Sequence, residues 1–348
     1  MKVLSLFDWM ACGYEALLRA WIKVDAYYAS EIDKYAIQIA LKNHPDIIEI
    51  WDVTQVKWED YKDIDIIIWW SPCQWFSMAW KMLNFDDPRS KLFFEFVRLV
   101  KEIKPKYFLL ENVKMKKEFR DKISEIMGCE PILIDSALVS AQHRERYYWT
   151  NIPWITQPED KGILLKDILE DDVDNEFYLK EDKLEKIKLT KQIELPCGTQ
   201  LWNSKNFWNS YWSQKAYTLR ACQPNGVIIP KEWESLIDNV DGEIRVKQAT
   251  KQWYIVAEEW DGLDLSYPTS TTRRWRVVKW KSNTLTAWHL NYVYDTVIRK
   301  LTPTECERLQ TLKDWYTEGV SNSQRYKMLW NWWTCDVISH IFSFIPKE

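Results

Sequence analysis

Glycine is the residue this chain most lacks: its 348 residues include 8, where ordinary usage of about 7% would give roughly 24. Few positions are therefore left for turns with positive φ or for close backbone approach, both of which bulky side chains resist. Long apolar runs are missing too. No stretch approaches the roughly 18 apolar residues of a membrane span, and MKVLSLFDWM passes from one lysine into a short strand-like run with no signal-peptide core. A cytoplasmic protein with no membrane partner is expected. The seven cysteines are odd in number, scattered and never spaced C-x-x-C, so neither a disulfide framework nor a zinc cage is indicated, and no metal is expected. Excess charge of either sign is absent: Lys plus Arg is 47, Asp plus Glu is 51, and the net charge is −4. Any surface for an anionic polymer must then be local.

What the chain has instead is tryptophan, 23 residues of it. Several stand where backbone geometry favours glycine. Trp9 follows a strand at a strand-to-helix turn, Trp69 and Trp70 end a strand, and Trp330 and Trp332 flank an asparagine in an expected turn.

With 46% hydrophobic residues the chain can bury a large core. Its first 150 residues alternate between periods of two and 3.6. Strands are expected at 3–7, 24–31, 47–50, 63–69 and 107–113, and helices at 14–20, 33–43, 90–104 and up to about Met127. Apolar strands alternating with helices predict a doubly wound α/β domain with a parallel sheet covered on both faces. Ligands of such sheets bind at the carboxyl ends of the strands. Those ends carry Phe7 and Asp8, Glu31, Asp52, Ser71-Pro72-Cys73, and Glu111-Asn112: three carboxylates and a thiol on one rim, with Glu111 beside them. Residues 154–298 lose the pattern and read as an inserted smaller domain. Helical periodicity returns after Leu301.

Each of these residues has a plainer reading. Cys73 alone could be a small buried hydrophobe, but it follows a strand end and a φ-fixing proline in a polar loop suited to presenting a thiolate. Glu111 could cap a turn; in an apolar site it could instead stay protonated and donate to a ring nitrogen. Glu31 and Asp52 could be solvated loop acids, although an acid after the second strand is also the usual partner of a ribose. In QHRER, Gln142, Arg144 and Arg146 alternate, so a strand there would put all three on one face as an anion or carbonyl clamp. TTRRWRVVKWK gathers Arg273, Arg274, Arg276, Lys279 and Lys281 in eleven residues, enough for phosphate contacts, or a solvated charged face.

Together, Phe7-Asp8, SEID, WDV, SPCQWFS, ENV, QHRER and the C-terminal WNWWT resemble the ordered motifs of the DNA (cytosine-5) methyltransferases, closest to phage and solitary bacterial members. The match spans 3–152 and 299–345. The resemblance implies a Rossmann-like S-adenosylmethionine-dependent methyltransferase sheet with a smaller inserted target-recognition domain: 1–153 catalytic, 154–298 target recognition, and 299–348 helices completing the catalytic domain. It further implies S-adenosylmethionine bound by Phe7, Asp8, Trp9, Met10, Gly13, Glu31, Ile32, Asp52, Val53, Pro72, Leu92 and Asn331. In the family's chemistry Cys73 attacks carbon 6 of a flipped cytosine, Glu111 grips ring nitrogen 3 and the amine, Arg146 holds the carbonyl, and Arg144 and Gln142 order the site. The implied partner is double-stranded DNA bound by a monomer, with a cognate restriction endonuclease as a further partner.

The departures from that pattern are systematic. Family glycines stand here as Trp9, Trp51, Trp69, Trp70, Trp75, Trp80, Trp330 and Trp332, with Trp21, Trp275, Trp280 and Trp288 as additions, whereas Trp149 and Trp333 fit as true tryptophans. One faithful replacement suggests a gene that uses UGA for glycine, read by a code in which UGA means tryptophan. Two alternatives stay open: a tRNA cytosine-5 methyltransferase, or, if the tryptophans are real, a DNA-binding protein without catalysis.

Overall fold

Nearly continuous apolar strands, buried on both faces, build the centre of the molecule. The computed structural model describes residues 1–70, 88–178, 237–240, 243–248, 254–265, 276–282, 284, 292–295 and 297–347. Seven strands form one sheet: β1 (Lys2–Leu6), β2 (Ala26–Ser30), β3 (Ile48–Glu49), β4 (Ile66–Trp70), β5 (Tyr107–Val113), β6 (Ile132–Asp135) and β7 (Glu145–Thr150), in the order β3-β2-β1-β4-β5-β7-β6. The first five are parallel, and β7 runs antiparallel between β5 and β6. The chain reverses its direction of progress between β1 and β4, the switch point at which such sheets bind ligands.

Alternate residues of each central strand feed opposite cores. Val3, Ile66, Ile68 and Leu109 face one cluster, closed by α1 (Cys12–Arg19), α2 (Lys34–Asn43) and the C-terminal helices. Leu4, Leu6, Ile67, Trp69 and Leu110 face the other, closed by Phe93, Phe96, Leu99 and Ile103 of α3 (Pro88–Ile103). Truncating any of these leucines to alanine would cost about 2–5 kcal/mol. Beyond α4 (Lys117–Met127) and the antiparallel strands, the C-terminal segment supplies α5 (Pro303–Leu309), α6 (Asn322–Trp330) and α7 (Cys335–Phe342). Thr302 and Glu305 form a capping box around Pro303 at the start of α5, so its first turn is satisfied by side chains. Helix α7 packs on α1, where Arg19 bonds Asp336 at 2.8 Å.

The chain divides into two compact units, Met1–Phe177 with Trp260–Leu263 and Val278–Glu348, and Tyr178–Glu259 with Asp264–Val277. The second contains the antiparallel strands β8 (Ile237–Val240), β9 (Glu243–Lys247) and β10 (Tyr254–Ala257). Of the later strands β11 (Gly262–Leu263), β12 (Val277–Val278), β13 (Tyr292–Asp295) and β14 (Val297–Lys300), β13 pairs antiparallel with both β11 and β14.

Trp69 and Trp70 end β4, as expected. Two local expectations are corrected. Trp330 closes α6 in helical geometry rather than lying in a turn. Only the last two residues of QHRER belong to β7, with Gln142 and Arg144 in the segment leading into it. The alternation survives all the same: Gln142 and Arg144 are buried, Arg146 is half-buried, and His143 and Glu145 are exposed.

Candidate active site

The carboxyl ends of β1, β2 and β3 bring together three acids. Asp8 is buried behind Phe7, with its amide N–H on the Ser30 carbonyl at 3.1 Å and its Oδ1 accepting from the Tyr27 hydroxyl at 2.5 Å. Burial pushes its carboxyl up to about 7 against the pull of the Ser5 and Tyr27 hydroxyls. Glu31 accepts the amide N–H of Trp9 on Oε2 at 3.0 Å and those of Ile32 and Asp33 on Oε1 at 2.7 and 2.8 Å. Burial raises its pKa despite these three donors. Glu49, which the sequence reading passed over, is pushed up to about 8, first by burial and then by the charges of Asp8 and Glu31. Neither of its oxygens has a hydrogen-bond partner among the described residues. Tyr27, the anchor of Asp8, was missed as well. Both lie inside strands, where an alternating pattern gives no sign of a site.

Around this rim the other expected cofactor residues take their places. Met10 is buried, its carbonyl accepting from Tyr316 at 2.8 Å. A Cβ on Gly13 would meet the Tyr27 hydroxyl at 2.6 Å, so the start of α1 can approach the sheet only as glycine. Asp52 is exposed and caps a short 3₁₀ turn through Thr54, while Val53 is buried behind it. Ile32 is 77% exposed, an apolar face left open at the rim. Leu92 sits half-buried on α3, and Asn331 caps the end of α6. Trp9 sends its indole N–H to the Met328 carbonyl at 2.9 Å. A narrow cavity barely large enough for one water lies between Ser5, Phe7, Asp8, Cys12, Gly13, Trp332 and Trp333. Unpartnered carboxyl oxygens of Asp8 and Glu49, the cradle at Gly13 and the apolar Phe7 and Ile32 fit a cationic nucleoside such as S-adenosylmethionine. The indoles at 332 and 333 line the same cavity.

At the ends of β5 and β7 the electrostatics differ. Glu111 is 1% exposed, and its Oε1 lies 3.0 Å from Nε of Arg146, two positions along the facing strand. Arg144 is buried; it donates from Nη2 to the Trp332 carbonyl at 2.8 Å, and its amide N–H bonds Asp135 at 2.8 Å. Gln142 is fully buried, and its carboxamide has no partner among the described residues. Burial, followed by the charge of Glu111, raises the Tyr148 phenol above its usual range. The structure thus brings Glu111, Arg144, Arg146 and Gln142 into one corner of the fold. Pro72, Cys73, Arg273 and Arg274 lie outside the described residues.

The basic cluster is corrected in part. Lys281 donates to the carbonyls of Ala137, Ser140 and Ile163, which together with burial takes its ammonium away from any phosphate. Arg276 is buried and bonds the Asp264 carbonyl at 3.2 Å. Lys279 pairs with buried Asp261 at 2.9 Å. Counting charges could not reveal these internal partners. Among the described residues no helix is long and apolar enough to cross a membrane, and no cluster of His, Cys, Asp and Glu is arranged for a metal.

Comparison with known proteins shows the family and the fold. The family model for C-5 cytosine-specific DNA methylases matches residues 1–127 and 135–347. The orphan methyltransferase M.SPRI of Bacillus phage SPR is 27% identical over 100% of this chain and 99% of its own. A type II methyltransferase of Lactococcus lactis subsp. cremoris is 49% identical over 26% of this chain and 23% of its own. Among solved structures, the Entamoeba histolytica methyltransferase EhMeth shares the fold with a TM-score of 0.59 at 16% identity, covering 99% of this chain and 97% of that one.

Proposed function

This chain belongs to the C-5 cytosine-specific DNA methylase family, and from that premise we propose that it transfers the methyl group of S-adenosylmethionine to carbon 5 of a cytosine in double-stranded DNA, through a covalent bond from Cys73. The observation that carries the reading is the buried Glu111–Arg146 pair at the rim of the sheet. A carboxyl and a guanidinium side by side match the ring nitrogen, amine and carbonyl along one edge of cytosine. In this reading the Cys73 thiolate bonds to carbon 6. The displaced electron pair, steadied by Glu111 at nitrogen 3 and Arg146 at the carbonyl, makes carbon 5 nucleophilic. Bound S-adenosylmethionine supplies an activated methyl group on a sulfonium. Loss of the carbon 5 proton then drives out the thiolate and restores the ring double bond. A stacked base hides carbon 6, so the cytosine must leave the duplex.

Glu31 is assigned to the ribose hydroxyls, Asp52 to the adenine amine, Phe7, Ile32, Val53, Pro72 and Leu92 to the adenine and its surroundings, and Asp8, Met10, Gly13 and Asn331 to the rest of the cofactor. Arg144 and Gln142 position the base-holding corner. Residues 154–298 are assigned to target recognition, and Arg273 and Arg274 to phosphate contact.

Tritiated methyl transfer to duplex DNA and to tRNA, compared side by side, tests the substrate. Label in DNA is expected; label in tRNA alone would replace DNA with RNA. DNA carrying 5-fluorocytosine should become covalently attached, and a Cys73→Ser chain that still attaches would remove Cys73 from the mechanism.

A further inference from the structure

Eleven described residues other than glycine have positive φ, and seven of them are tryptophan: Trp9, Trp21, Trp51, Trp154, Trp260, Trp280 and Trp315, at φ between 54° and 73°. With 23 tryptophans in 348 residues, a random draw of eleven would contain fewer than one. Chemistry does not explain the choice, because a bulky side chain resists the left-handed region and aromatic rings have no affinity for it. Leucine, isoleucine, valine and tyrosine, all plentiful in the chain, never take it among the described residues.

Local hydrogen bonding identifies what these positions require. At the end of α1 the amide N–H of Trp21 bonds the Leu18 carbonyl and that of Ile22 the Leu17 carbonyl, both at 3.0 Å. This crossed pair is the Schellman closure, whose left-handed residue is usually glycine. At the end of α4 a glycine does the same work: Gly128, at φ 73°, bonds the Ser124 carbonyl at 2.8 Å. Trp154 follows Pro153 within a turn, the place where a proline-glycine turn needs positive φ. Trp260 and Trp280 are second residues of two-residue turns, and Trp315 lies in the turn before α6. The side chains contribute little in exchange. Trp21 and Trp154 are 86% and 83% exposed, and every tryptophan among the exposed large hydrophobics has positive φ.

Trp149 behaves otherwise. It lies on β7, is fully buried, and donates its indole N–H to Ser124 at 3.0 Å. That is a tryptophan used as one.

We infer that the native protein carries glycine at positions 9, 21, 51, 154, 260, 280 and 315, where its gene has UGA codons that specify glycine and have been translated here as tryptophan. Backbone geometry adds positions 154, 260 and 315 to those the family resemblance suggested. For position 9 the consequence rests on the proposed function: without the indole, the amide facing Glu31 and the carbonyl of Met328 line an open cofactor cleft.

The gene sequence is the first test. UGA at the seven codons with UGG at 149 is expected, and UGG at the seven would overturn the inference. Peptide mass spectrometry of the protein purified from cells that carry the gene should find glycine masses at the seven positions; tryptophan masses there would overturn it even with UGA codons. A chain with all seven Trp→Gly substitutions should melt several degrees above the tryptophan chain, while Trp149→Gly should melt below it, and a lower melting point for the sevenfold variant would count against the inference. None of these readouts involves methyl transfer, so the inference and the proposed reaction can fail separately. If both hold, the Trp9→Gly chain should bind S-adenosylmethionine at least tenfold more tightly in calorimetry than the tryptophan chain.

Discussion

The two ends of the sheet's rim handle charge in opposite ways. At β5 and β7 a buried acid has its cation 3.0 Å away, and a second guanidinium is tied to a carbonyl. At β1, β2 and β3 three acids press on one another with no ion pair to Asp8, Glu31 or Glu49 among the described residues, and burial and repulsion push Asp8 up to about 7 and Glu49 up to about 8. At the first end the buried carboxylate has its counter-charge at hand. The second is electrostatically unfinished, in the way expected of a pocket that receives a positively charged ligand.

The contrast breaks most sharply at the proposed nucleophile. Cys73→Ser should abolish methyl transfer while leaving cofactor affinity, measured by calorimetry, unchanged. Next, Glu111→Gln should lower kcat by about 10²–10⁴-fold, again with cofactor binding intact; equal loss of both would mean the two ends are one site. Arg146→Ala leaves Glu111 buried without its cation and should destabilise the fold by about 3–5 kcal/mol, whereas Glu49→Gln relieves repulsion and should raise Tm. The pH dependence follows from the rim acids. Asp8 and Glu49 hold protons in the native state at pH values where the unfolded chain has released them. Stability of the free protein should therefore fall as pH rises from about 4 to about 8, with each unit of pKa difference worth about 1.4 kcal/mol at most. Asp8→Asn should flatten that fall in urea unfolding curves, and bound S-adenosylmethionine should flatten it too. The smallest effect sharpens the correction at Lys281: Lys281→Met should lower Tm by a few degrees without changing how DNA affinity depends on salt.

The rim was legible because apolar runs give way to acids: VLSLF to Asp8, and YFLL to Glu111 within β5. Alternation in QHRER predicted which side chains turn inward even though β7 begins only at Glu145. Glu49 was illegible because it lies within a two-residue strand and its neighbours Asp8 and Glu31 become neighbours only in the sheet. Lys281 misled because a charge count cannot see three carbonyls converging on one ammonium. Trp154, Trp260 and Trp315 escaped notice because turns are read from glycine, and the signal in Pro153-Trp154 is hidden once tryptophan takes its place.

Several bonds described above join the first 150 residues to the C-terminal segment: Trp9 to Met328, Met10 to Tyr316 and Arg144 to Trp332. A ribosome that has synthesised the sheet but not yet α5 to α7 therefore holds a polypeptide with both halves of the rim unsecured. Both halves of the rim are secured only once α5 to α7 have been added.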